Sequence, residues 1–236
     1  MTKEDLVVLY EDNHIIVVFK PQNVPCCEDA TGDKDLLTVI KEYIKEKYDK
    51  PGNVYVGLVH RLDRVTGGVM VYAKSSKAAA RLSEQMREGD FSKKYLTVLV
   101  GSPKEKRGLW TDYMKKNTVN NMVYVCPSTV EGAKLAELEY RVIDEKKGLS
   151  LVMIELHTGR THQIRVQSSS RGTPVYGDMR YGGEKAVKGR IALWAASLSF
   201  SHPVSKERLT FKVFPPVENT PWKYFDITDD VLVYGK

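Results

Sequence analysis

Cysteine is scarce in this sequence: three residues in 236, an odd number, with Cys26 and Cys27 adjacent. That count and spacing exclude a disulfide framework, and no second Cys or His pair stands at zinc-finger spacing, so no metal is expected. Such usage fits a reducing cytoplasm. Long apolar runs are missing too. None approaches the ~20 residues that a membrane-crossing helix requires, and the opening Met-Thr-Lys-Glu-Asp has no signal-peptide character, so no membrane partner is expected. The chain also lacks internal repeats, low-complexity segments and a convincing linker. Its glycine-rich run from Gly172 to Gly183 has neither Walker spacing nor a following Lys-Ser/Thr, and reads as a structural loop rather than a phosphate cradle.

Positive charge, by contrast, is plentiful and unevenly placed. The formal net charge is +6. Residues 1–59 carry −4, 60–134 carry +7, 135–154 carry −1, 155–190 carry +4 and 191–236 carry zero. Lysine and arginine that neutralise a polyanion release its counterions, so two basic segments flanked by acidic or neutral ones point to a nucleic-acid partner better than the total does.

The elements follow from periodicity and punctuation. Leu6 to Tyr10 and His14 to Phe19 read as a hairpin around Glu11-Asp12-Asn13, stopped at Lys20-Pro21. Leu36, Leu37, Ile40, Tyr43, Ile44 and Tyr48 give an amphipathic helix over 35–48. A strand-like alternation runs from Val69 to Ala73, and Ser75 or Ser76 caps a helix to about Glu88, stopped by Gly89. Phe91 to Val100 reads as a strand. Residues 101–130 read as charged turns with short β-like pieces, an excursion whose lysines and arginine suit nucleic-acid contact. Strands are expected over 133–143, 149–156, 191–200 and 208–214, a short helix capped by Thr158 or Thr161, and a helix-like turn at 222–225.

Two stretches carry chemistry. In the first, from Gly57 to Lys74, a single carboxylate, Asp63, stands between Arg61 and Arg64 and before the paired glycines Gly67 and Gly68. A solvated ion-pair network is the plain alternative for such a cluster. In the second, His157-Thr158-Gly159-Arg160-Thr161-His162-Gln163-Ile164-Arg165-Val166, the histidines tempt a metal reading, but hydrogen-bonding structural roles fit better.

His60-Arg61-Leu62-Asp63-Arg64-Val65-Thr66-Gly67-Gly68 with Ala73-Lys74 resembles one signature of the RluA-type RNA pseudouridine synthases, and His157 to Val166 resembles the other. Lys93-Lys94-Tyr95 matches that family's Lys-x-Tyr pattern, and Gly172 to Asp178 its Gly-x-Pro-x-x-Gly-Asp segment. The resemblance spans about residues 6–214. It departs at Gly67, where many members have Ser, and at Gln167, where many have His.

The resemblance implies an α+β fold: a single compact domain over 1–236 with a mixed, largely antiparallel sheet, a central basic cleft, and no amino-terminal S4-type RNA-binding domain. It implies isomerisation of uridine to pseudouridine in structured RNA (rRNA or tRNA), by a cytoplasmic monomer without metal, organic or nucleotide cofactor. Asp63 is implied as the catalytic acid, Tyr95 as the residue stacking on the flipped base, and Arg165 as the cation beside Asp63. Arg61, Arg64, Arg160, His162 and Gln163 are implied as RNA or substrate contacts. Two readings from other classes remain: a noncatalytic RNA-binding or assembly protein on the same fold, and a glycoside or nucleoside hydrolase, which would ordinarily need a second carboxylate or a metal.

Overall fold

A computed structural model describes residues 1–234; Gly235 and Lys236, included in the expected domain, lie outside the described residues. In chain order the elements are β1 (Val8–Glu11), β2 (Ile15–Lys20), α1 (Leu36–Lys47), β3 (Gly57–Leu58), β4 (Gly67–Ala73), α2 (Ser76–Glu88), β5 (Ser92–Val100), β6 (Arg107–Lys116), β7 (Val123–Cys126), β8 (Lys134–Lys146), β9 (Leu149–Leu156), α3 (Gln163–Ser170), β10 (Leu193–Ser201), β11 (Arg208–Lys212) and α4 (Asp229–Tyr234). The class is α+β, as expected. The chain divides into two compact units, one of residues 1–92 with 195–213, the other of residues 93–194 with 214–236.

In the first unit the strands run in the order β1-β2-β4-β10, with β11 on β10 and β3 on β4. β2 and β4 pair antiparallel from Ile15↔Ala73 to Lys20↔Gly68. The sequence suggested alternation along β4, yet all seven of its residues are buried. A strand covered on both faces has no solvent side to mark with polar residues. Ile15, Val17, Val69, Val71 and Ala73 form one core with Ala78 and Leu82 of α2 and with Leu198 and Phe200 of β10. The helix ends are built as their sequences suggest. Asp35 accepts from the Thr38 N–H at 3.0 Å, Ser75 from the Ala78 N–H at 3.2 Å, and Gly89 closes α2 at φ +80°.

The second unit carries the antiparallel order β5-β9-β8-β6-β7. β6 corrects the reading of 101–130 as turns and short pieces, since ten consecutive residues form a strand there. Its core-facing set is Trp110, Asp112, Met114, and the carboxylate in the middle hid the alternation. Asp112 is accommodated because Gln167 Nε2 and Arg171 Nη1 donate to its Oδ2 at 2.7 and 2.8 Å. α3 differs from expectation as well. Neither threonine caps it. His162 is the N-cap residue, in left-handed backbone at φ +54° and with no side-chain cap bond. Thr158 Oγ1 is engaged elsewhere, accepting from the Glu137 N–H and donating to Gln163 Oε1, each at 2.8 Å.

Candidate active site

Asp63 sits in the loop between β3 and β4, half-buried, while its neighbours Leu62 and Thr66 are buried. What fixes this loop is its backbone. The Lys20 side chain is fully buried, and its Nζ donates to the carbonyls of Pro21 (3.0 Å), Arg64 (3.0 Å) and Thr66 (2.7 Å). Two of those three acceptors follow Asp63 by one and three residues. Gln22 Nε2 donates to the Val65 carbonyl at 3.0 Å, and the Asn23 N–H to the Arg64 carbonyl at 2.8 Å. Below the loop, Cys26 Sγ accepts from the Leu62 N–H at 3.3 Å and donates to the Leu62 carbonyl at 3.1 Å. A turn bond from the Thr66 N–H to the Asp63 carbonyl (2.9 Å) completes the frame.

Burial pulls the Lys20 ammonium down from 10.5 to about 8, partly offset by the nearby Cys26 and Asp63 and reinforced by Arg64. Desolvation is expected to disfavour a cation in this way. Gly68 matters for a different reason. Its φ is +133°, and a Cβ there would stand 2.2 Å from the Ala195 carbonyl oxygen, so this second glycine of the motif is the one that the packing of β4 on β10 requires.

Of the cations around Asp63, Arg61 is exposed. Arg64 turns toward the loop at 29–33, where it pairs with Asp33 and, at 3.6 Å, with Asp29, and donates to Thr31 Oγ1 at 2.7 Å. His60 accepts from the Val71 N–H at 3.2 Å through Nε2, a structural bond onto β4.

The residues of the second motif lie in the other unit. Arg165 is buried on α3, and its guanidinium makes a bidentate pair with Asp178: Nε to Oδ2 at 2.7 Å and Nη2 to Oδ1 at 2.8 Å. Asp178 Oδ1 also accepts the N–H groups of Arg180 (3.0 Å) and Tyr181 (3.2 Å). Burial pushes this carboxyl up, but the hydrogen bonds and charge of Arg165 and the two backbone donors outweigh it, so Asp178 titrates below the ordinary carboxylate range. The Arg165 guanidinium carbon stands 5.1 Å from the centre of the Tyr181 ring, a cation–π contact. Tyr181 is itself tied down, its hydroxyl 2.7 Å from His162 Nδ1 and accepting the Val123 N–H at 3.1 Å.

Gln163 is held inside the second unit by its own hydrogen bonds. Expected to meet substrate, it is buried with its amide saturated: Oε1 accepts from Thr158 Oγ1 (2.8 Å) and the Arg160 N–H (2.9 Å), and Nε2 donates to the Glu137 carbonyl (3.0 Å) and Gln167 Oε1 (3.1 Å). With every donor and acceptor engaged it positions the loop rather than a ligand. The same network absorbs the Gln167 departure, because that amide is fully buried and donates to Asp112 and to the carbonyls of Trp110 and Ala136. Arg160 is exposed, with Nε on the Leu135 carbonyl at 2.7 Å, and His162 is half-buried. Tyr95 is buried on β5, opposite Ile154. Sequence reasoning overlooked Lys20, Asp178 and Tyr181 as supports. Only the Lys-Pro and Gly-Asp dipeptides hinted at the first two.

Comparison with known proteins places the chain in a family. Residues 14–170 match the RNA pseudouridylate synthase family. The chain is 33% identical over 223 residues to ribosomal large subunit pseudouridine synthase D of Zymomonas mobilis, an alignment covering 89% of this chain and 69% of that protein. It is 33% identical over 211 residues to ribosomal large subunit pseudouridine synthase C of Vibrio vulnificus, covering 86% and 64%. The chain thus spans about two thirds of the length of these relatives. Among solved structures, human RNA pseudouridylate synthase domain containing 4 superposes with a TM-score of 0.75 at 22% identity, covering 89% of this chain and 88% of that one, a likeness of fold. Human RNA pseudouridylate synthase domain containing 1 gives 0.73 at 25% identity, covering 92% and 86%. With both motifs inside the matched region, this chain belongs to the RNA pseudouridylate synthase family.

Proposed function

We propose that the protein converts uridine to pseudouridine within structured RNA, as a cytoplasmic monomer whose described units work as one catalytic domain. Family membership supports the reaction, and the names of the bacterial relatives favour ribosomal RNA over transfer RNA. The observation that carries the assignment of the acid is the braced loop at Asp63: its backbone is pinned by a buried lysine, while the carboxylate is left half-buried.

The reaction breaks the C1′–N1 bond, rotates the freed uracil and forms C1′–C5, after which C5 loses its proton and N1 gains one. It consumes neither water nor nucleotide, so no second hydrolytic carboxylate is needed. Cleavage develops positive charge on the sugar, which the Asp63 carboxylate stabilises, attacks, or relieves by taking a proton. The target base must leave its stack, at a cost of a few kcal/mol. Arg61, exposed and two residues before the acid, is assigned to the vacated space or to the adjoining phosphate. Tyr95 is assigned to stack on the flipped uracil, with its hydroxyl aiding the loss of the C5 proton. Arg165, held by Asp178, is assigned as the cation that the second motif contributes to the reaction. Arg160 and His162 complete the substrate contacts, and Arg64 braces the loop.

The test is Asp63→Asn on unmodified ribosomal RNA, with pseudouridine mapped by chemical labelling. Formation is expected to fall by about three orders of magnitude or more, with RNA affinity and thermal midpoint nearly unchanged. Appreciable turnover by the variant would remove Asp63 from its role. RNA binding without pseudouridine formation by the wild type would instead make the protein a noncatalytic binder.

A further inference from the structure

Buried cations in this molecule come with acceptors. Lys20 has three carbonyls, Lys74 has Glu11 at 2.6 Å and the Asp12 carbonyl, and Arg165 has Asp178. Lys93 breaks the pattern. It is half-buried at the start of β5, and burial alone pulls its ammonium below the ordinary lysine value, with no carboxylate near enough to oppose the shift. Among the described residues its Nζ has neither a hydrogen-bond nor an ion-pair partner. Taking a cation out of water without an anion destabilises the fold. Such a group is what a site looks like when its counter-ion arrives with the substrate.

The surroundings say which anion. Lys93 and Tyr95 are two positions apart on one strand, hence on the same face and about 7 Å apart. The Lys93 ammonium lies beside Gly159 of the second motif, where an added Cβ would stand 3.6 Å from Nζ, an ordinary contact distance. The next residue, Arg160, is an exposed cation. A compact ammonium suits a phosphodiester oxygen as a point charge, and Lys93 belongs to the segment of the chain that carries +7.

We propose that Lys93 is a binding residue for a single RNA phosphate adjoining the nucleotide that Tyr95 receives. This rests on the reading of RNA as the substrate, and it adds a residue whose side chain is otherwise unassigned. Binding the phosphate supplies the missing counter-charge, so affinity is gained at the same position where the free protein is destabilised.

The experiment measures affinity without turnover. Unmodified large-subunit ribosomal RNA is titrated against the full chain carrying Asp63→Asn, alone and combined with Lys93→Met, Lys93→Arg or Lys94→Met, over a series of KCl concentrations. Lys93→Met is expected to weaken binding about three- to tenfold at 50 mM salt and to make the slope of log K against log salt shallower by about 0.7 to 0.9, the value for one phosphate. Its deficit then shrinks about threefold when salt rises fourfold. Lys93→Arg should restore most of the slope, and Lys94→Met should move it less. The thermal midpoint of Lys93→Met should equal or exceed that of its parent, because a desolvated charge has been removed.

An unchanged slope, or a clearly lower midpoint, overturns the proposal. A fall in kcat when Lys93→Met is placed in the chain that keeps Asp63, with affinity unchanged in the Asp63→Asn pair, overturns it too, and reassigns the ammonium to the departing base. If the wild type makes no pseudouridine while Lys93→Met still loses the slope, the proposed reaction fails and the phosphate site stands.

Discussion

The loop carrying Asp63 is held through its backbone, whereas Arg165 is held through its side chain. Lys20 grips the carbonyl groups one and three residues after the acid, so the loop is fixed through its main chain. Arg165, in contrast, gives Nε and Nη2 to one buried carboxylate and presents its face to Tyr181. Backbone support separates function from stability, so the acid can be changed without loosening its loop. Side-chain support couples them, because any change to the pair leaves a buried ion without its partner. The pairing also tempers the charge of Arg165: at a distance the Arg165–Asp178 pair is close to neutral, and what the arginine offers is direction at short range rather than a broad positive field.

The contrast is most sharply tested at Asp178. Asp178→Asn should destabilise the protein by about 3–5 kcal/mol, the usual result of breaking a buried ion pair from one side, and should lower kcat more than RNA affinity. Denaturant melts and steady-state kinetics check both. Because the folded carboxyl titrates low, the pair's contribution is present above about pH 4 and is lost as pH falls through the folded value, so the variant should also lose part of the wild-type acid sensitivity. A loss below about 1 kcal/mol would mean that the pair is not coupled to the fold in this way.

A smaller effect is expected at Lys20. Lys20→Met orphans three carbonyls but also removes a buried charge, for a net loss of about 1–3 kcal/mol near neutral pH, with activity reduced as the Asp63 loop loosens. The sign of its pH dependence is diagnostic. A lysine whose folded value is near 8 instead of 10.5 binds fewer protons folded than unfolded between those two values. The penalty is therefore complete below pH 8 and is relieved as pH rises toward 10.5. That rise in stability should be seen in the wild type and vanish in the variant; if it persists, another group produces it.

The smallest effect belongs to Arg64. Its partners Asp29 and Asp33 are solvent-accessible, and such pairs contribute little. Arg64→Ala should leave the thermal midpoint unmoved and weaken RNA binding only a few-fold. A large fall in stability would show that side-chain support matters on this loop as well.

These supports mark where sequence reading stops. The cap Ser75 and the terminator Gly89 were legible because each acts within three or four residues along the chain. Lys20 was not. A lysine at the end of a strand reads as exposed, and only folding brings the carbonyls of residues 64 and 66 to it. Asp112 concealed β6 for a related reason: a core-facing carboxylate looks like a loop residue until the Gln167 amide and the Arg171 guanidinium are known to meet it. The left-handed N-cap at His162 had no signal, since the two threonines before it are better caps in isolation and one of them is engaged with Glu137 and Gln163.

The first unit is assembled from two separated stretches of the chain, residues 1–92 and 195–213. On the ribosome, β4 is made long before β10, the strand whose Ala195 carbonyl nests against Gly68. Over a hundred codons are translated while that sheet border, leading straight from the Asp63 loop, waits uncovered. Synthesis from the amino end therefore yields an open, adhesive edge before it yields a working enzyme. Slowed translation across that interval should expose the nascent protein to aggregation far more than the same delay placed after residue 213.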